Sequence, residues 1–234
     1  RNFTSKLFLN NGIFKISDFT LYTMSGKATG NVTIEQVDNQ NFRLISTSNL
    51  EKINVRQLFY ELENFGQSTV RYNHLKGKTT SDIYLRAEWD NHLNLNLENL
   101  YSFLDVKIDD GELINFEPLL LISDYISIEE LKRIKFSTLT NQIEIKNKTV
   151  EIPFMQIQST AMNIAGSGIH FFNNNINYEI EFSLNDILQK KFRKNQEKKN
   201  LEFGEVETKE SLKKSIIPLK MTGTTKDPII SFNF

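Results

Sequence analysis

Alternation of apolar and polar residues is the feature that most limits the folds open to this chain. It is clearest between Asp109 and Leu184, where a short helical piece is followed by what reads as four strands joined by tight turns. Successive side chains of a strand point to opposite faces, so a period of two gives one apolar, buried face (the dry face) and one polar, solvent-exposed face (the wet face). The residues predicted to share the dry face are Ile143, Ile145, Val150, Ile152, Ile157, Ile164, Ile176, Tyr178, Ile180 and Phe182.

The N-terminal third shows the same alternation of apolar and polar residues. A turn at Asn10-Asn11-Gly12 precedes an alternating run to Thr23, and a hairpin is predicted around Asp38-Asn39-Gln40. Strand character resumes from Leu75 to Trp89. The fold class predicted is mainly β: a long antiparallel sheet, twisted and curled into a groove or half-open barrel, with two or three short helices.

Two segments have helical spacing instead. Asn54 to Asn64 carries apolar residues at helical intervals behind an Asn that can serve as N-cap. Ser127 to Arg133 has a capping-box spacing, with Ile128, Leu131 and Ile134 on one side. We expect this second helix to dock near Phe116 and Leu119 and close one end of the apolar face.

Two further expectations concern local irregularities. Asn91 to Tyr101 alternates and is predicted as a strand, with a helix over Leu100 to Phe103 as the alternative. Pro153 cannot donate to a sheet ladder, and the apolar parity shifts between Ile152 and Met155. A bulge that bends the sheet is therefore predicted at Pro153-Phe154.

The domain organisation predicted is one β domain interrupted by a charged loop. Residues 1–193 form the groove domain, 194–211 a flexible loop too polar to offset its ordering entropy, and 212–234 the closing strands of the same domain. The closing strands are expected at Ser215 to Gly223 and Pro228 to Phe234. Lys190 to Lys199 could touch anionic lipid headgroups, although nearby acidic residues favour a solvated loop.

Composition excludes some partners and leaves the compartment open. The net charge is -1, so no overall field favours nucleic acid. There is no cysteine, which excludes disulfides and thiol chemistry. The sequence has neither a membrane-spanning apolar run nor a signal segment, and it begins at Arg1, so we expect a fragment whose targeting segment lies upstream.

Enzymatic interpretations are weak. An acidic cluster of Asp109, Asp110, Glu112 and Glu117 could supply an acid/base pair or cation ligands, but Asp-Asp-Gly-Glu is better explained as a turn, with Glu112 on the wet face. The histidines at 74, 92 and 170 have no metal-site spacing, and His170 is expected on the wet face. Gly166-Ser167-Gly168 is interpreted as a hairpin signal. We therefore predict no catalytic residue, no metal site and no cofactor.

A series of short segments recurs in a specific order from about Val55 to the C-terminus. They are Asp110-Gly111-Glu112-Leu113, Asn115-Phe116-Glu117-Pro118-Leu119, Leu131, Ile134-Lys135-Phe136, Leu139, Ile152-Pro153, Met155, Ile157, Ser159, Ala161, Asn163-Ile164, Gly168, His170-Phe171, Leu219-Lys220-Met221-Thr222-Gly223 and Pro228. In order and spacing these segments resemble the C-terminal region of the AsmA-like, TamB-related proteins of Gram-negative envelopes.

The resemblance implies a non-enzymatic periplasmic domain, anchored to the inner membrane by a segment outside this sequence. It further implies an apolar β-groove that holds lipid acyl chains and takes part in lipid transport or outer-membrane homeostasis and assembly. The alternation itself agrees, since a one-sided sheet with few helices must hide its apolar face against a second sheet or another apolar body.

Three alternatives stay open from the sequence. Alternating strands most often build the filled core of a sandwich or closed barrel. The domain could instead be a scaffold that binds a protein partner of the outer-membrane assembly machinery by adding a strand to a sheet edge. A carbohydrate-binding or hydrolytic β-sandwich is the third.

Overall fold

The computed structural model describes residues 2–66, 68, 70–117, 120, 128–159, 162–184 and 216–232. Two α-helices lie in this part of the chain, α1 (Val55–Glu61) and α2 (Ile128–Leu131), together with short 3₁₀ segments at Glu63–Gly66 and Tyr72–His74. The strands are β1 (Asn2–Asn10), β2 (Ile13–Thr23), β3 (Gly26–Gln36), β4 (Asn41–Asn54), β5 (Leu75–Asp90), β6 (Tyr101–Ile114), β7 (Arg133–Lys146), β8 (Thr149–Gln158), β9 (Met162–Phe171), β10 (Ile176–Leu184), β11 (Ile216–Gly223) and β12 (Pro228–Phe232).

These 12 strands form one sheet, and their order in the sheet is their order along the chain. Every neighbouring pair is antiparallel. β1 and β12 are the two edges and do not pair with each other, so the sheet is not closed into a barrel. The predicted fold class, a long curled antiparallel sheet with few helices, is confirmed.

The two ends of the sheet differ. Turns that follow odd-numbered strands share one end, and the predicted turn at Asn11 and Gly12 is confirmed there, with φ of 45° and 76°. Both angles are positive, as the turns that match strand twist require. Helices α1 and α2 join β4 to β5 and β6 to β7, so both lie at the opposite end.

Bulges bend the strands at several levels. Asp18 in β2, Lys52 in β4 and Asp110 in β6 have φ near +50° (52°, 53° and 52°), and each lies where the pairing register shifts. The predicted bulge at Pro153-Phe154 is confirmed by a register shift between Ile152 and Met155. Each extra residue bends its strand and increases the local twist, which curls the sheet. Asp109 to Glu112, predicted as a turn, is instead a bulge inside β6.

Helix α1 confirms the first helical prediction. The side chain of Asn54 accepts a hydrogen bond from the backbone N–H of Gln57 at 3.0 Å, as an N-cap does. The helix ends at Glu61, earlier than Asn64. Its first residue, Val55, is buried against the sheet end together with Ile53.

The second helical prediction is correct only in part. α2 covers Ile128–Leu131, and the capping residue Ser127 lies outside the described residues. Leu131 is 1% exposed but Ile128 is 46% exposed. Ile134, expected on the helix, is the second residue of β7 and is also buried. Phe116 packs against the same cluster, whereas Leu119 is outside the described residues.

The predicted strand from Asn91 to Tyr101 is wrong. β5 ends at Asp90, and the following residues form one isolated β-bridge to it, between Trp89 and Leu95, rather than a strand. The carboxylate of Asp90 accepts from the backbone N–H groups of His92 and Asn94, both at 2.9 Å. This local turn chemistry outweighs the alternation. The helix alternative is also wrong, because β6 begins at Tyr101.

The main apolar cluster lies toward the C-terminal strands. Its buried members are Leu131, Ile134, Ile157, Ile164, Ile176, Phe182, Leu219 and Met221. A fully buried side chain of this size contributes about 1.5–3 kcal/mol relative to leaving it exposed. This cluster therefore holds α2 and the start of β7 against β8–β11.

Candidate functional site

One face of the sheet carries apolar residues through every strand, and we call it the apolar face. Residues opposite each other in an antiparallel ladder share a face. One such row crosses ten strands, and its members are Leu7, Ile16, Val32, Ser46, Leu85, Ser102, Ile145, Val150, His170 and Ile176.

No ladder position of the apolar face is Asp, Glu, Lys or Arg in the described strands. Its titratable side chains there are His170 and Tyr178. Burial lowers the pKa of His170 and raises the pKa of Tyr178, so both groups are held in their neutral forms near pH 7. The ladder positions of this face are thus uncharged through the described residues of β1 to β12.

Charged residues lie on the opposite, polar face and pair with one another. Arg43 contacts Glu88 at 2.7 Å and Glu35 at 3.1 Å. The pKa of Glu88 is lowered, chiefly by its hydrogen bond from Arg43. Amide and carboxylate side chains also pair across strands, as Gln142 does with Asp105 at 2.8 Å.

All ten residues predicted to share one face do lie on the apolar face. Ile143 and Ile145 are on β7, Val150, Ile152 and Ile157 on β8, Ile164 on β9, and Ile176, Tyr178, Ile180 and Phe182 on β10. Their proposed contact with lipid stays a prediction. The same face continues over β1–β6, where alternation predicted strands but not that they share this face.

Small hydroxyl side chains interrupt the aliphatic ones in the middle of this face. Thr79 and Ser81 hydrogen-bond each other at 2.9 Å, and the Ser102 hydroxyl donates to the carbonyl oxygen of Tyr84 at 2.8 Å. These hydroxyls are buried between bulkier neighbours such as Leu85, and their hydrogen-bonding capacity is used within the sheet. They add little polarity to the surface.

Three sequence expectations about polar or turn residues need correction. His170 lies on the apolar face, because it pairs with Val150 and Ile176. Glu112 is on the polar face but only 7% exposed, because cationic side chains cover it. Gly166-Ser167-Gly168 lies inside β9, where Gly168 is opposite Tyr178 and leaves room for its ring.

Two carboxyl groups of the acidic cluster, those of Asp109 and Glu112, have lowered pKa values. The pKa of Asp109 is lowered by hydrogen bonds from Lys107 and Thr138. The pKa of Glu112 is also lowered, since the cations around it outweigh its burial. A general acid of the glycosidase kind needs a raised pKa, which neither carboxyl group has. Among the described residues, no group of three His, Asp or Glu side chains is placed to hold a metal ion.

Comparison with protein-family models, with curated proteins and with solved structures found no match for this chain. The AsmA-like resemblance therefore rests on the sequence segments alone. None of the helices in the described ranges is long and apolar enough to cross a membrane.

Proposed function

We propose that this chain is a non-enzymatic cell-envelope domain whose apolar face holds lipid acyl chains, in lipid transport or outer-membrane homeostasis. The observation that carries the proposal is the uncharged face that runs from β1 to β12. The AsmA-like resemblance supplies the biological setting, which is the periplasm, with an inner-membrane anchor outside this sequence.

The energetics favour a hydrocarbon ligand. Burying apolar surface contributes about 25 cal/mol per Å², so one palmitoyl chain laid along the face would gain several kcal/mol without polar recognition. A charged side chain facing that hydrocarbon would oppose binding through its desolvation. In the described strands, no ladder position of the apolar face carries a charged side chain that would oppose binding in this way.

The N-terminal half of the face has the greater capacity for a ligand. Toward β8–β11 the chain's own side chains and α2 fill the face. Over β1–β3 the apolar side chains other than that of Ala28 are half-buried or exposed, and the main contacts of α1 are with β4, β5 and the 3₁₀ segments. We therefore place the acyl chain along β1–β6.

The absence of cysteine permits a direct test. Ile34 is on the apolar face and Thr33 on the polar face of the same strand, both partly buried. Ile34→Cys and the matched control Thr33→Cys are labelled with a fluorophore and titrated with spin-labelled palmitic acid. We expect saturable quenching at position 34 and little at position 33.

Equal quenching at the two positions, or none at position 34, contradicts the proposal. Circular dichroism melts of both labelled variants check that each retains the fold. Native mass spectrometry of detergent-free protein gives an independent measure, because a protein that holds acyl chains should carry co-purifying lipid.

A second candidate function is a scaffold that takes a strand from a protein partner of the assembly machinery. The observation that favours it is that β1, within the described strands, pairs with β2 alone. A biotinylated peptide with alternating apolar residues tests it. Its binding should be lost when Leu7→Pro removes a backbone N–H from β1.

A further inference from the structure

Three neighbouring depressions lie along the polar face, and we call their combined surface the trough. Their volumes are about 400, 480 and 650 Å³. They meet at shared residues: Phe103 lines the first two, Asp105 the first and third, and Gln142 the second and third. All three residues alternate with members of the apolar face such as Leu104 and Ile143, so they belong to the polar face. The depressions therefore form one continuous surface feature.

The trough is long. A row of paired residues, every one of which lines it, runs from Thr47 on β4 to Asn177 on β10. Neighbouring strands of a sheet are about 4.8 Å apart, so the six steps from β4 to β10 span about 29 Å. A ligand that uses the whole surface is an extended chain and not a compact small molecule.

Aromatic rings line the trough although the face around them is polar. Tyr84 and Phe103 are opposite each other on β5 and β6, and both are half-buried. Phe154, at the bulge of β8, lines the largest depression and is 68% exposed. The face of an aromatic ring is electron-rich and attracts polarised C–H groups. These rings therefore fit a ligand that carries both C–H and polar groups.

Amide and carboxylate side chains beside these rings hold each other in place. Asn49 donates a hydrogen bond to Asp82, and Gln142 donates one to Asp105, both at 2.8 Å. The two carboxylates are opposite each other on β5 and β6, and all four side chains are exposed. Each carboxylate can accept further hydrogen bonds, and each amide has a carbonyl acceptor and a second N–H. The ligand must therefore both donate and accept hydrogen bonds.

The charge of the trough excludes anionic ligands. Among the described residues that line it there are five carboxylates and one ammonium group, that of Lys107. Lys107 itself pairs with Asp109 at 3.0 Å. A phosphate or sulfate group would therefore be repelled. A peptide strand is also disfavoured, because strands are recognised through backbone groups at a sheet edge, whereas a face presents side chains.

We propose that the trough binds an uncharged carbohydrate chain. Sugar hydroxyl groups both donate and accept hydrogen bonds, as the amide and carboxylate side chains require. The C–H groups of the sugar rings pack on Phe103 and Phe154. An extended oligosaccharide also matches the length of the trough. The inference concerns the polar face and does not depend on acyl-chain binding to the opposite face.

The test uses the whole chain without detergent. An array of linear uncharged oligosaccharides identifies the hexasaccharide that binds best, and titration calorimetry measures its Kd. Gln142→Ala removes one amide of the trough. Gln156→Ala is the matched control, because Gln156 is also exposed on the polar face but lines none of the three depressions. We expect at least about fivefold weaker binding for Gln142→Ala and a change of less than about twofold for Gln156→Ala.

A second pair of variants tests the aromatic contact. Phe154→Ala removes the exposed ring of the largest depression, and Phe65→Ala is its control, because Phe65 is 57% exposed but packs on Phe59 of α1. We expect at least about fivefold weaker binding for Phe154→Ala and no change for Phe65→Ala. In NMR spectra the hexasaccharide should shift amides of β5–β7 and leave those of β1 in place. Circular dichroism melts check that all four variants are folded.

The absence of binding to every uncharged oligosaccharide of the array would overturn the proposal. Binding of hexalysine in place of any oligosaccharide would also overturn it, because the trough would then be a surface for cationic peptides. Oligosaccharide binding that Gln142→Ala and Phe154→Ala both leave unchanged, although the variants are folded, would place the sugar elsewhere on the chain and contradict the trough as its site.

Discussion

At Glu112, cationic side chains surround one buried carboxylate. Lys76 Nζ lies 2.9 Å from Oε2, and Arg133 Nε lies 2.7 Å from Oε1 as an ion pair without an aligned hydrogen bond. Burial alone would raise the pKa of Glu112, but the Lys76 hydrogen bond and the charges of Arg133, Lys76 and Lys135 outweigh it. The pKa in the folded state is therefore lowered.

Glu112→Gln should lower the free energy of unfolding by about 1–2 kcal/mol at pH 7, because the cations lose their carboxylate partner while remaining partly solvated. A lowered folded-state pKa stabilises above the unfolded value, about 4.3, and that contribution is lost as pH falls below it. The difference in unfolding free energy between wild type and Glu112→Gln should therefore shrink as the pH falls below about 4.3. Urea unfolding at several pH values measures it.

The control for this comparison is Glu179→Gln. Glu179 is largely exposed and lies 3.7 Å from Lys220, so its loss should change the free energy of unfolding by less than about 0.5 kcal/mol. A difference in unfolding free energy between wild type and Glu112→Gln that stays constant down to pH 3 would contradict the lowered pKa.

Gly168 is constrained by the ring opposite it. A Cβ added at Gly168 would lie 1.8 Å from Cδ1 of Tyr178, so the ring must move. Gly168→Ala should cost about 1–3 kcal/mol of stability, as overpacking does. Thermal or urea unfolding measures the loss, and Ser167→Ala on the polar face is the control. Because Tyr178→Ala removes the ring, the double variant Gly168→Ala with Tyr178→Ala should lose less unfolding free energy than the sum of the two single variants. A loss equal to that sum would contradict the contact.

At the scale of elements, the junction of β7 and β8 stands apart. The two strands pair from Glu144, Ile145 and Lys146 near the turn, and then only through one bridge between Phe136 and Ser159. Depressions of about 480 and 650 Å³ flank this junction, both lined by Gln142 and Pro153. We call the unpaired length of the two strands the seam.

Two offset irregularities explain the seam. On β8 the parity of the apolar face shifts at Pro153-Phe154, and on β7 it shifts between Phe136 and Leu139. Between these levels the strands are out of phase, so continuing the register would oppose apolar Leu139 to polar Gln156. A ladder cannot hold both residues on their own faces, because side-chain direction and register are coupled.

Hydrogen exchange should reveal the seam. Residues 138–142 also pair with β6 and residues 155–157 with β9, so only about every second amide in these segments points into the seam. We expect the seam-facing amides of residues 138–142 and 154–157 to exchange at least about tenfold faster than the amides of β9, since sheet amides without ladder partners open at low cost. Exchange resolved by residue in solution NMR measures this. Residues 144–146, on the paired end of β7, are the internal control, and uniform protection along β7 would contradict the prediction.

At the scale of the whole molecule, each strand packs mainly on its two sequence neighbours. Strand order in the sheet equals chain order, and α1 lies mainly against the strands nearest to it in sequence. Leu131 of α2 is an exception, because it packs in the main cluster with residues of β8–β11. Stability in such a molecule is close to a sum of neighbour terms, as in repeat proteins. Damage in one region should therefore remain local.

Phe182→Ala should test this locality. Phe182 is buried in the main cluster, so its truncation should cost about 3–5 kcal/mol in β8–β11. Exchange of amides in β9–β11 should accelerate while amides of β2–β4 keep their rates. Phe14→Ala, on the apolar face of β2, is the reciprocal control. Faster exchange in every strand of Phe182→Ala would show one all-or-none unit instead.

The sequence by itself determined the local periodicity and its consequences. Alternation identified the strands, Asn54 capped α1, and the parity change beside Pro153 located the bulge. These signals act within a few residues, so they survive in any tertiary setting that keeps the strands paired. The ten predicted residues share a face for the same reason.

Only the tertiary structure decided which strands pair and which polar groups are covered. His170 is on the apolar face because its partners in the register are Val150 and Ile176, and Glu112 is buried because Lys76 and Arg133 come from other strands. After Asp90 the chain forms a loop, because hydrogen bonds to the Asp90 carboxylate outweigh the alternation that favours a strand. Register and cross-strand neighbours are properties of several segments at once, and no single segment encodes them.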